Sequence, residues 1–119
     1  MREEGGGHLQ CNIGTGVAGG RRTKTGRTVV PLGVWSHVVA VIRGPQDMML
    51  YLEGQNDGGM YSGSGVGSMV YSTAASKFGS DGNVYFNGEI DDVRVYNREL
   101  SFDEVKSLHN AATDILPPQ

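Results

Sequence analysis

Short apolar runs separated by turn residues mark most of this chain, and they read as strands. The clearest run is Trp35 to Ile42, WSHVVAVI. Trp35, His37, Val39 and Val41 share one face, and Ser36, Val38, Ala40 and Ile42 the other. Both faces are largely apolar, which predicts a central strand covered on each side. Gly44-Pro45-Gln46-Asp47 has turn chemistry, and Met48 to Glu53 returns as the second strand of a β-hairpin. Residues Gly54 to Gly58 turn again. His8 to Ile13 and Arg27 to Pro31 read as two shorter strands ahead of the hairpin. Between Gly58 and Ser76 the period is lost, with one irregular strand expected near Ser68 to Tyr71. Lys77 to Ser80 follows as a short strand before the loop Asp81-Gly82-Asn83.

The pattern sharpens at residues 86 to 105, FNGEIDDVRVYNRELSFDEV. The pair Asn87-Gly88 marks a turn. Ile90 to Tyr96 is rich in β-branched and aromatic residues and predicts a strand ending at Asn97. Asp91, Val93 and Val95 take one face, and Ile90, Asp92, Arg94 and Tyr96 the other. Ser101 followed by Glu104 is a capping box, and Leu100 and Val105 stand where a hydrophobic staple needs them. Asp103 and Glu104 add favourable charge to the first turn. A short helix is expected to run to about His109 or Ala112, with Val105, Leu108 and Ala112 on one stripe. Pro117 and Pro118 end regular structure beyond it.

Nineteen glycines, clustered between the apolar runs, support short strands joined by turns. A length of 119 residues suits one domain, residues 1–119, with 1–7 and 113–119 as flexible tails. The single Cys11 excludes an intramolecular disulfide framework and, alone, a structural zinc site. Net charge is −3 with acids and bases interspersed, so a broad basic surface for nucleic acid or an anionic membrane is not expected. The local cluster Arg21, Arg22, Lys24 and Arg27 lies among glycines and threonines and reads as a solvated loop. No apolar run approaches the ~20 residues of a membrane span. The start, MREEGGGHLQ, carries acids where a secretory signal has a basic and then an apolar stretch. Read as it stands, the chain is soluble and unexported; as a piece of a longer protein it is equally compatible with an extracellular setting.

Two blocks together, WSHVVAV with MMLYLEG and then YFNGEIDDVRVYNRELSFDEVKSLHN, resemble the C-terminal half of a laminin-G-like domain of the concanavalin A-like lectin and glucanase superfamily. The resemblance covers about residues 8 to 110. It implies an all-β fold, an antiparallel β-sandwich of jelly-roll type, here shortened, with one short C-terminal helix. It also implies binding of glycans or proteins and, often, a calcium ion. Such domains run longer, and their N-terminal half has no counterpart in this sequence. A curved sheet without its partner strands leaves apolar faces and edges bare. A longer parent protein, a rearranged smaller sandwich or a second copy can cover them. Homodimerisation is the favoured expectation.

Candidate chemistry is sparse. Asp91 and Asp92 can offer calcium two carboxylates, short of the six to eight oxygens it takes. The competing reading has either acid accepting turn N–H groups or pairing with Arg94 or Arg98. Glu89 and Asp91 resemble the start of the Glu-x-Asp-x-x-Glu arrangement of glucanases in the same superfamily. The third position is Arg94, so the second carboxylate that glycoside hydrolysis needs is missing. His37 reads as a core histidine with one satisfied hydrogen bond, Trp35 as core, and His8 and His109 as surface residues. Tyr51, Tyr61, Tyr71 and Tyr85 are the candidate rings for stacking on sugars. The expected function is therefore a non-catalytic binding module for carbohydrate or protein. The alternatives are a structural, assembly-forming sandwich without ligand and, behind it, a glucanase-like hydrolase.

Overall fold

Two hairpins build most of the structure. In the computed structural model, residues 7–15, 18–64, 67, 75–80 and 83–115 are described, with 113–115 as backbone alone. Strand β1 (His8–Gly14) pairs antiparallel with β2 (Arg21–Val29), and β2 pairs with β6 (Met60–Ser62). Strand β3 (Val38–Gly44) pairs with β4 (Asp47–Leu52), which pairs with β5 (Gln55–Asn56). The result is two three-stranded antiparallel sheets, β1-β2-β6 and β3-β4-β5, followed by helix α1 (Phe102–Ile115). This is the expected all-β antiparallel sandwich in shortened form, with its C-terminal helix.

Burial explains the layering. Cys11 and Ile13 of β1 pack on Met48 and Leu50 of β4, with Leu9 and Tyr61 beside them, and so join the two sheets. On the far face of the second sheet, Val41 and Tyr51 pack on Leu100 and Val105, supported by Val39, Met49 and Leu108. Strand β4 is therefore sandwiched between the first sheet and the helix. Met48, Leu50 and Val105 are the largest fully buried side chains, and each contributes about 1.5–3 kcal/mol by leaving water.

The expected central strand is corrected by this arrangement. Residues 35–37 lie outside β3, and β3 is an edge strand, paired among the described residues with β4 alone. Its Val39 and Val41 face the helix, while Val38 and Ile42 on the other face are exposed, because β1 packs over β4 and stops short of β3. Trp35 is half-buried.

Strand β2 is longer than expected and begins at Arg21, so the basic cluster is in a strand and not in a loop. Cross-strand partners Ile13↔Arg22 and Cys11↔Lys24 place both basic side chains on the inner face. There they use their ends inwardly: Lys24 Nζ donates to the Met48 carbonyl at 2.7 Å, and Arg22 and Lys24 stand 4.6 and 5.0 Å from the centre of the Tyr61 ring.

Three further differences are local. The expected turn at 54–58 contains β5, because Glu53 and Gly54 (φ 54° and 77°) form a two-residue loop with both residues left-handed, the conformation of a tight hairpin. Lys77–Ser80 forms no strand, only a bridge from Ser80 to Tyr85; the strand expected near Ser68 to Tyr71 lies outside the described residues. Ile90–Tyr96 makes no ladder among the described residues and is exposed throughout, and Asp92 (φ 53°) breaks its extension.

The helix follows its signals closely at the start. Ser101 N–H donates to Glu104 Oε1 at 3.1 Å and Glu104 N–H to Ser101 Oγ at 3.2 Å, closing the capping box. Leu100 and Val105 are buried together as the staple requires. The helix ends later than expected, at Ile115, so 113–115 of the expected tail are helical. Gly7 is also tied down, its carbonyl accepting Val30 N–H at 2.8 Å. Residues 1–6 and 116–119 lie outside the described residues.

Among the described residues no helix is long and apolar enough to cross a membrane.

Candidate binding surface

Ahead of the closing segment stand the most exposed aromatic rings among the described residues. The Ser80–Tyr85 bridge and a 2.8 Å bond from Phe86 N–H to the Gly79 carbonyl hold Gly79 and Ser80 against Tyr85 and Phe86. Phe78, Tyr85 and Phe86 stay 68, 80 and 60% exposed. Gly79, Ser80, Val84, Tyr85, Phe86 and Ile90 line a shallow cleft of about 380 Å³. A Cβ at Gly88 would crowd the Phe86 ring, so the glycine lets the ring lie over the chain. Apolar surface gathered around a cleft, away from either core, is characteristic of a contact site.

The four tyrosines separate clearly. Tyr51 is buried under the helix, stacked at 6.2 Å on Phe102, and is unavailable to a sugar. Tyr61 is half-buried; its hydroxyl accepts Met48 N–H at 2.8 Å and donates to the Met48 carbonyl at 3.2 Å. Tyr71 lies outside the described residues. Tyr85 alone combines exposure with a loop position. Sequence reasoning missed Phe78 and Phe86; the signal was their place beside turn residues, Phe78-Gly79 and Phe86-Asn87-Gly88, where a ring has no strand face to bury it.

The acids of the closing segment are engaged with one another. Asp91 Oδ1 accepts Asp92 N–H at 2.8 Å, and Arg94 grips Asp92 with two bonds, Nε to Oδ1 at 3.0 Å and a terminal nitrogen to Oδ2 at 3.3 Å. These exposed contacts match the competing reading of Asp91 and Asp92. As placed, the pair does not by itself fit calcium, since Asp92 is committed to Arg94, and no group of three or more ligating side chains among the described residues is arranged around a common point. Glu89 is exposed, and Arg94 occupies the position a second catalytic carboxylate would need.

A second polar cluster lies where β3, the β4–β5 turn and α1 converge. His37 N–H donates to Glu53 Oε1, Glu53 N–H donates to the His37 carbonyl at 2.9 Å, and Glu53 Oε2 lies 3.4 Å from His109 Nε2. The two imidazoles are 5.7 Å apart, and His109 packs on Gly54, where a Cβ would approach within 3.2 Å. His37 is half-buried, and its Nδ1 is buried with no hydrogen-bond partner, contrary to the satisfied core histidine expected. Burial first, and then His109, lower its pKa, against the opposing pull of Glu53 and Asp92. His109, expected at the surface, is half-buried, whereas His8 is exposed, with its Nδ1 3.0 Å from the Gly26 carbonyl. Cys11, on the inner face, has its pKa raised by burial, which leaves the thiol inert.

A crystal structure of an S-layer domain-containing protein from Clostridium thermocellum ATCC 27405 is similar at 22% identity and a TM-score of 0.47, over 92% of this chain and 66% of that one. Comparison with curated proteins gives no match. The family model Laminin_G_3 matches residues 1–106. The chain therefore belongs to the Laminin_G_3 family of the concanavalin A-like lectin/glucanases superfamily.

Proposed function

We propose that this domain is a non-catalytic binding module whose ligand is carbohydrate, held at the cleft of Tyr85, Phe86 and Ile90. The observation that carries this reading is the exposure of Tyr85 and Phe86 in one cleft, with exposed Phe78 next in sequence to its Gly79. Flat apolar rings suit the C–H faces of a sugar, and the Tyr85 hydroxyl and nearby Asn87 and Glu89 offer groups to its hydroxyls. Family membership supports a binding role. The position of Arg94 supports the absence of hydrolysis, because Glu89 and Asp91 then have no proton donor opposite them. The inward use of Arg22 and Lys24 supports a neutral ligand over a nucleic acid.

A glycan array followed by calorimetry tests the proposal. Saccharide binding that falls about tenfold or more in Tyr85→Ala and Phe86→Ala, with an unchanged circular dichroism spectrum, is expected, each ring contributing about 0.5–1.5 kcal/mol beyond its buried area. Binding unchanged by a chelator is also expected, since the rings need no metal. A full array without a hit, or binding indifferent to both substitutions, would overturn it.

A further inference from the structure

The segment Ile90–Tyr96, IDDVRVY, is complementary to itself. Reversed about Val93, it sets Asp92 opposite Arg94 and Ile90 opposite Tyr96. We propose that this segment pairs with the same segment of a second copy as two antiparallel strands around a two-fold axis at Val93.

Three observations carry the pairing. First, the segment has the composition of a strand, is exposed throughout and makes no ladder among the described residues, with Ile90, Val93, Val95 and Tyr96 turned to solvent. Strand-forming sequence left without a ladder is a template for another strand once Asp92 is extended. Second, the charges match. In the single chain Arg94 reaches back to Asp92 at 3.0 Å. In the pair, each Arg94 faces the Asp92 of the other copy, so one internal contact per chain is exchanged for one across the axis, and the contact is made twice. Opposite charges and β-branched–aromatic partners are the favourable cross-strand pairs. Third, the charges fix the register. A shift of two residues one way sets Arg94 against Arg94, and the other way Asp92 against Asp92; a shift of one exchanges the faces. Closing the pair requires Asp92 to leave its left-handed φ of 53° for extended backbone.

The interface is isologous, as a two-fold axis demands. It is also small, so the dimer is weak and concentration-dependent. The Arg43–Glu99 ion pair at 2.7 Å, just beyond the segment, anchors it to β3 and gives the paired strands a fixed base. This pairing does not depend on the saccharide reading, whose rings at Phe78, Tyr85 and Phe86 lie outside it; Ile90 is shared with the cleft.

Sedimentation velocity over a range from low to high micromolar tests the proposal. The unaltered protein is expected to pass from monomer to dimer. Asp92→Arg alone and Arg94→Asp alone each set like charges across the axis twice, and each is expected to lose association at least tenfold. An equimolar mixture of these two variants restores both cross-axis pairs and is expected to dimerise again. No pairing within one chain can produce that recovery, since each variant lacks its own internal partner. Val93→Cys in a Cys11→Ser background is expected to oxidise to a linked dimer, because directly opposed residues stand within disulfide range; Val38→Cys is the control. All four altered surface positions are exposed, and circular dichroism checks the fold. A monomer at every concentration with no preferential crosslink at 93 would overturn the proposal, as would a dimer indifferent to the charge changes.

Discussion

The Asp57 carboxylate occupies the space that a side chain on Gly26 would fill. From there it accepts the N–H of Thr28 at 3.2 Å and the hydroxyl of Thr28, while Asp57 N–H donates to the Leu50 carbonyl at 2.8 Å. One buried acid thus ties β2 to β4. Gly26→Ala displaces the carboxylate from Thr28 and is expected to cost about 2 kcal/mol, the scale of a lost hydrogen bond to a charged group. Asp57→Ala should cost a similar amount, and the double variant less than the sum, because both changes break the same contact. Urea denaturation of the three variants measures this.

The helix cap predicts an acid limit. Arg98 and the Ser101 N–H lower the Glu104 pKa to about 2. A depressed carboxylate contributes stability that is fully present above its ordinary value of 4.5 and is lost as pH falls through about 2. Helicity is therefore expected to hold at neutral pH and to decline across that window, followed by circular dichroism. Ser101→Ala should remove about 1 kcal/mol at neutral pH and flatten part of the acid response.

His37 gives a second, higher window. Its folded pKa lies below the ordinary 6.5, so folding favours the neutral ring. Stability from this group is present above about 6.5 and falls as pH drops toward the lower folded value. Glu53 and Asp92 moderate the effect, and His109 and Arg94 reinforce it. Thermal melting of the parent between neutral and mildly acid pH should show a decline that His37→Gln reduces.

Burial on β4 and exposure on β3 separate two substitutions that look alike in sequence. Leu50→Ala empties the contact between the sheets and is expected to cost about 2–5 kcal/mol. Val38→Thr, on the open face, should change stability by no more than about 0.5 kcal/mol. Equal effects would show that the first sheet also covers β3.

Local signals were legible in the sequence and distant ones were not. The hairpin through Pro45 and the Ser101–Glu104 cap were readable because their determinants lie within a few residues. The strand at 21–29 was hidden, since Arg22 and Lys24 read as solvated until Tyr61 and Met48, far along the chain, give them partners. Which of β3 and β4 is sandwiched depends on where β1 crosses, and the composition of either strand alone allows both. Ile90–Tyr96 shows the converse: its alternation is that of a strand, but a strand also needs an edge to join. At the candidate surface only Tyr85 was identified. The His37–Glu53–His109 cluster depends on Glu53 meeting His109, 56 residues away, and left no local trace.

The course of the chain through β6 bears on the order of assembly. After β3, β4 and β5 have formed one sheet, Met60–Ser62 crosses back to complete the other beside β2. The first hairpin can form early from neighbouring residues, but its sheet is finished only when the later strands have been made and laid against it. Closing that contact spans the chain from Thr25 to Met60, which costs more loop-closure entropy than either local hairpin. Substitutions in β6 should therefore slow folding more than those in the β1–β2 turn.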